Sequence, residues 1–329
     1  MSVYTSLSLS QLKQLLDQYE LGEITRYEGI SDGIENTNYL IHTTTGHYVL
    51  TIFEQHKAEE LPYFLQLMAF IRRHGMMVPE AIPDARQQTL TSWQSKPAAL
   101  FNRLPGQSIL HPDSNHCQQI GAALAHLHTI GQQFPLHRDN QWGHHWIQNT
   151  GKMLLSHTET TQLNKPDAQL LSDELLFQQT LQQENSHQTL PQGIIHADLF
   201  CDNVLFENDQ LSGILDFYTA CNSPFLFDLA ISVNDWCLGE DNYLDFDRAK
   251  AMITAYEQIR PLNKDEQQHW PAMLRAAGLR FWLSRLLFRQ SRKEAELTLD
   301  KDPDVLKCLL LKHRDNTSFC QSLLVNHNV

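Results

Sequence analysis

Long apolar runs are missing from this sequence. No stretch approaches the roughly 20 uninterrupted apolar residues that a membrane-crossing helix needs, and the best run, Leu279 to Phe288, is broken by Arg280 and Arg285. Basic charge is in deficit: 25 Lys and Arg against 38 Asp and Glu give a formal net charge of −13. An acidic surface repels nucleic-acid backbones and anionic lipid, so neither nucleic acid nor membrane is expected as a partner. An anionic substrate would then need a locally basic or metal-containing site. The six cysteines include no C-x-x-C pair and no zinc-ligand spacing. They read as reduced thiols of a reducing compartment. Met1 to Ser6 shows neither the basic region nor the apolar segment of a secretory signal. The expectation is a cytoplasmic protein, with no obligate protein partner indicated.

What is present is an ordinary globular balance, 42% apolar and 19% charged over 329 residues, enough for two lobes. Ser8-Leu9-Ser10-Gln11 is a capping box opening a helix to about Tyr19. Residues 39–43 and 47–53 are β-branched and aromatic runs around Thr44-Thr45-Gly46, which predicts a hairpin. A helix is expected from about Ala58 to His74, ended by Gly75, then an antiparallel pair at 90–93 and 98–101. From Pro112-Asp113-Ser114 onward helices dominate, apart from short strands between about 193 and 217. The polar segment Thr150–Asn164 reads as a loop. The fold class is α/β (α+β), with an antiparallel-sheet lobe over residues 1–102 and a mainly helical lobe over 103–329.

The chemistry is concentrated in Gly193 to Phe206, where an apolar strand runs into His196-Ala197-Asp198, four residues intervene, and Asn203 precedes another apolar strand. Thirteen residues after Asn203 comes Asp216, in Leu215-Asp216-Phe217-Tyr218. Phosphoryl transfer needs a carboxylate beside the attacking hydroxyl and hard oxygen ligands that hold Mg²⁺ against the ATP phosphates. Asp198 suits the first task; Asn203 and Asp216 suit the second. The order matches the kinase pattern H-R-D-x-x-x-x-N followed by D-F-G. His196 reads as a brace for the loop, and Asp228 as a helix N-cap or a second brace.

His-x-Asp-x₄-Asn, then Asp-Phe, then Asp228-Leu229-Ala230 resembles the aminoglycoside phosphotransferase/choline kinase superfamily. The chain is most similar to the homoserine kinase family within it. The blocks that carry this include Gly33-Ile34-Glu35-Asn36-Thr37-Asn38-Tyr39, Leu215-Asp216-Phe217-Tyr218-Thr219-Ala220-Cys221 and Asn234-Asp235-Trp236-Cys237. The resemblance spans nearly the whole chain. It implies a bilobal protein-kinase-like fold, ATP and Mg²⁺, and transfer to the hydroxyl of L-homoserine.

By position, Gly29 to Asn36 would cover the ATP phosphates, through Gly33 and Asn36, or form a plain β-turn; no G-x-G-x-x-G is present. The strand lysine of kinases is missing too, its place being taken by Thr51. Phe101 lies where adenine is expected. On the acceptor side, Arg280 and Arg285 interrupt an apolar helix, about 140° apart around it. One of them is expected to bind the substrate carboxylate, or else each forms an internal salt bridge. Tyr218 and Asn234 are candidate acceptor contacts, and Asp198 or Asp235 would meet the ammonium. Choline, methylthioribose, an aminoglycoside or another hydroxylated amino acid are rival acceptors. A nucleotide-binding pseudokinase is the rival of a different class.

Overall fold

The computed structural model describes residues 4–30, 36–157, 163–291 and 302–324. The chain divides into two compact units. Unit 1 is Met1–Ser108 with Val204–Asn208 and Ser212–Tyr218; unit 2 is Ile109–Asn203, Asp209–Leu211 and Thr219–Val329.

Unit 1 holds an antiparallel sheet of β1 (Ile24–Ile30), β2 (Asn36–Thr43), β3 (His47–Phe53), β4 (Thr91–Trp93) and β5 (Lys96–Asn102), in the order β1-β2-β3-β5-β4. The strand alternation sorts its two faces. Tyr39, Ile41, Leu50, Ile52, Ala98 and Leu100 share a core with Leu12, Leu15 and Leu16 of α1 (Leu9–Leu16). Ser8 and Gln11 cap that helix reciprocally, at 3.3 and 2.8 Å. By register the opposite face carries Asn36, Asn38, Thr51, Ala99 and Phe101. β1 was not anticipated. It is an edge strand with a register shift and exposed charges, Arg26 and Glu28, so it shows no clean alternation. α2 (Leu61–Arg73) stops before Gly75, whose φ is +91°.

A later hairpin, β7 (Val204–Glu207) and β8 (Gln210–Ile214), contributes most of its residues to unit 1. Gln107 and Phe206 exchange backbone hydrogen bonds of 3.0 and 2.9 Å. Gly106 makes this possible: its φ is +100° and a Cβ there would lie 2.5 Å from the Phe206 carbonyl oxygen.

Unit 2 contains α3 (Ser114–Gly131), α4 (His144–Ser156), α5 (Lys165–Leu181), α6 (Asn185–Gln188), α7 (Phe225–Trp236), α8 (Phe246–Ile259), α9 (Lys264–Ser291), α10 (Pro303–Asp315) and α11 (Thr317–Ser322). A short antiparallel pair, β6 (Gln192–Ile195) and β9 (Cys221–Pro224), lies among them. The loop expected over 150–164 is corrected: 150–156 belong to α4, and 158–162 lie outside the described residues. Buried Ile147, Thr150, Gly151 and Leu154 form a helical stripe that the polar residues between them obscure. α3 and α8 approach closely at Gly121, where a Cβ would lie 2.0 Å from the Met252 carbonyl oxygen. Among the described residues no helix is long and apolar enough to cross a membrane.

Candidate active site

β6 delivers the chain into His196-Ala197-Asp198 with Ile194 and Ile195 buried behind it. Ala197 has φ +66°, a left-handed conformation that is strained for a residue with a Cβ. Asp228, fully buried on α7, holds this turn. Its carboxylate accepts the backbone N–H of His196 at 2.7 Å and of Ala197 at 2.8 Å, and the His128 ring nitrogen Nε2 lies 3.0 Å away. A buried carboxylate needs such partners. Asp228 is therefore a brace inside the helix rather than its N-cap, since α7 begins at Phe225. His196 is fully buried, and its carbonyl accepts from the Thr219 hydroxyl at 2.9 Å.

The same helix holds the rest of the loop. Asp235 accepts from the Cys201 N–H at 2.8 Å, and the Trp236 indole donates to the Leu199 carbonyl at 2.9 Å. Asp228, Asp235 and Trp236 are seven and eight residues apart on one side of α7, a spacing that was readable in the sequence but had no meaning before the loop was placed. Asp235 thus has a loop to hold. Asp198 and Asn203 are both only partly buried. The Asn203 amide nitrogen donates to the Asp198 carbonyl at 2.8 Å and to its carboxylate at 3.2 Å. With that end turned to Asp198, the Asn203 side-chain oxygen is the end directed elsewhere.

Asp216 belongs to unit 1, just after β8, with φ +58°, a conformation Asp tolerates better than most residues. Tyr218, expected at the acceptor, packs in unit 1 instead, against the rings of Phe53 (5.0 Å), Phe64 (5.8 Å) and His56 (5.9 Å). Burial, then the neighbouring Asp216 charge, pushes its phenol well above its ordinary pKa.

On the sheet face away from α1, Thr51 donates to the Asn38 side-chain oxygen at 2.8 Å. The Asn36 side-chain oxygen is buried without a hydrogen-bond partner among the described residues. Phe101 is buried on this face, paired with Val49. Gly33 lies outside the described residues. A Lys–Glu pair does exist in unit 1, Lys96 with Glu54, but Glu54 also accepts from the Thr37 and Thr5 hydroxyls, each at 2.7 Å. Thr37 is on the α1 side of the sheet, opposite Thr51 in face. This pair therefore locks the N-terminal arm and does not stand in for the strand lysine. Burial would raise the Glu54 pKa, but the hydrogen bonds from Lys96, Thr37 and Thr5 outweigh it and lower it.

The two arginines of α9 separate. Arg280 is buried, its guanidinium 3.7 Å from the Phe281 ring centre and 5.4 Å from that of Trp142. The Phe281 ring meets that of Phe200, on the Asp198–Asn203 loop, in a tilted contact at 4.5 Å between ring centres. Arg285 instead donates to the Asp302 carbonyl at 3.1 Å. The acceptor role suggested for Asn234 is corrected. Asn234 is buried with both ends of its amide engaged, the nitrogen donating to Leu274 O at 2.9 Å and the oxygen meeting His313 Nε2 at 2.8 Å. It ties α7 to α9 and α10.

A family model described as phosphotransferase enzyme family matches residues 26–262. The chain is 42% identical over 313 residues to a homoserine kinase of Methylobacillus flagellatus, covering 95% of each protein. It is 41% identical over 314 residues to a homoserine kinase of Neisseria meningitidis serogroup B, covering 94% of this chain and 99% of that one. Among solved structures, amicoumacin kinase hAmiN, in complex with AMP-PNP, Ca²⁺ and Ami, superposes with a TM-score of 0.70 at 14% identity, covering 96% and 94% of the two chains. That likeness shows the protein-kinase-like fold.

Proposed function

The chain belongs to the homoserine kinase branch of the phosphotransferase enzyme family, and from that premise we propose that it transfers the γ-phosphoryl group of ATP to the hydroxyl of L-homoserine, with Asp198 as base. The observation that carries this reading is the paired Asp198 and Asn203, partly exposed on a loop that three α7 side chains hold in place.

The acceptor oxygen forms a bond to the γ-phosphorus as the bond to the β,γ-bridging oxygen breaks, and ADP leaves. Asp198 orients the hydroxyl and takes its proton. Arg280 binds the substrate carboxylate through its planar fork of donors, held flat by the aromatic rings around it. Asn36 and Phe101, on the sheet face away from α1, contact the nucleotide together with Gly33. Residues 1–102, with the other residues of unit 1, serve as the nucleotide lobe, and the rest of 103–329 as the catalytic and acceptor lobe.

Asn203 and Asp216 would hold Mg²⁺, a hard ion that takes few protein oxygens and completes its shell with phosphate and water. The donor chemistry fits: an amide oxygen and a carboxylate are the hard oxygens such an ion takes. When bound, the ion neutralises charge on the phosphates. The six cysteines are unpaired, which supports a cytoplasmic setting.

A coupled ADP-release assay against L-homoserine, L-serine, L-threonine, choline, methylthioribose and kanamycin tests the proposal. Selective turnover of L-homoserine is the expected result. Preference for another acceptor would overturn the substrate, and ATP binding without turnover of any would overturn the kinase activity.

A further inference from the structure

We propose that Tyr256 and Arg260 are positioning residues for the catalytic loop. They fix His128 as the neutral tautomer with its proton on Nε2, so that Asp228 stays committed to the loop N–H groups. This rests on the reading of Asp198 as the catalytic base.

The chain of contacts runs through three helices of unit 2. His128 on α3 is fully buried, and each ring nitrogen meets one partner: Nε2 lies 3.0 Å from an Asp228 oxygen on α7, and Nδ1 lies 2.7 Å from the Tyr256 hydroxyl on α8. Arg260, at the end of α8, donates to that same hydroxyl at 3.1 Å and to Glu266 at 2.8 Å. Phe225 stacks on the His128 ring at 4.7 Å, and the Arg260 guanidinium sits 4.5 Å above Phe225.

The direction of every proton follows from two facts: a guanidinium can donate but cannot accept, and the buried Tyr256 hydroxyl has no partner among the described residues for its own proton except Nδ1 of His128. Arg260 therefore uses a lone pair of the Tyr256 oxygen. The single phenol proton is left to point at Nδ1 of His128. Nδ1 is then an acceptor, and the ring proton must sit on Nε2, aimed at Asp228. The polarity ends at the two N–H groups of His196 and Ala197, which Asp228 accepts at 2.7 and 2.8 Å. Ala197 is the residue in the strained conformation, so the turn depends on the carboxylate keeping its place. Burial disfavours an imidazolium at His128 and holds its pKa low. Burial likewise holds the Tyr256 phenol protonated.

The test has two arms. In the wild-type protein with ¹⁵N-labelled histidine, long-range ¹H–¹⁵N spectra at neutral pH should show His128 as the Nε2–H tautomer with Nδ1 bare. A ring protonated on Nδ1, or on both nitrogens, overturns the proposal, and this arm needs no variant to fold. In the kinetic arm, Tyr256→Phe should lower kcat at least about fivefold with KM for ATP and L-homoserine within about twofold. Arg260→Gln offers the phenol an acceptor, and should reproduce that loss. Wild-type kcat in a folded Tyr256→Phe protein overturns the proposal. Asp198→Asn is measured in parallel. Full activity there would remove the base assignment, while the tautomer would still stand or fall on the spectrum.

Discussion

Asp198 is the residue on which turnover should depend most. Asp198→Asn keeps the size and the contact with Asn203 but removes the proton acceptor. It is expected to lower kcat by roughly two to four orders of magnitude, as loss of a general base does, with ATP affinity by calorimetry nearly unchanged. Arg280 and Arg285 give a paired comparison. Arg280→Lys loses the flat fork that lies over Phe281 and should raise KM for L-homoserine roughly tenfold, about 1.4 kcal/mol, while Arg285→Lys should leave it unchanged. Equal effects would remove the acceptor role from Arg280. At this scale the sequence was legible where spacing encodes chemistry: Asp198 and Asn203 meet because the loop between them is short. It was not legible at Tyr218 and Asn234. An aromatic ring or an amide beside a motif looks the same in sequence whether it faces a substrate or the neighbouring packing.

Secondary-structure elements decide whether the loop is held. α3 crosses α8 closely at Gly121, which leaves no room for a side chain. Gly121→Ala should destabilise the protein by about 1–3 kcal/mol, as overpacking does, measured by urea unfolding. His128 is two turns along α3 and Tyr256 one turn along α8 from that crossing, so kcat should fall as well. The capping box of α1, the β2–β3 hairpin and α2 were legible because local propensity and core pattern agree there. β1 was hidden because an edge strand keeps charged residues to discourage pairing with other chains. α4 was hidden because its apolar stripe is narrow and is diluted by Gln, Asn and Thr.

Acid sensitivity belongs to the whole molecule. Burial, then the Arg275 charge, lowers the pKa of His313 to about 3, and burial with the His269 and His144 charges lowers that of His187 to about 4. His128 is also lowered. These rings are neutral when folded, whereas in the unfolded chain they take up protons below about pH 6.5. The unfolded state therefore binds more protons between about pH 6.5 and 4, and stability falls as pH falls through that window. Each fully linked histidine adds a slope of about 1.4 kcal/mol per pH unit. Unfolding free energies measured from pH 7 to 4.5 should decline accordingly, and His313→Gln should flatten the decline. The division into a β-rich front and a helical remainder was legible from composition. The return of residues 204–208 and 212–218 to unit 1 was not, because contacts made a hundred residues apart leave no local pattern. That return has a consequence for synthesis on the ribosome. When residue 108 emerges, unit 1 still lacks its last hairpin, and translation at about 5–20 residues per second needs roughly 5–20 s more to deliver residue 218. For that interval the five-stranded sheet is complete but unit 1 is not, and Gln107 waits for the Phe206 backbone with which it will exchange hydrogen bonds.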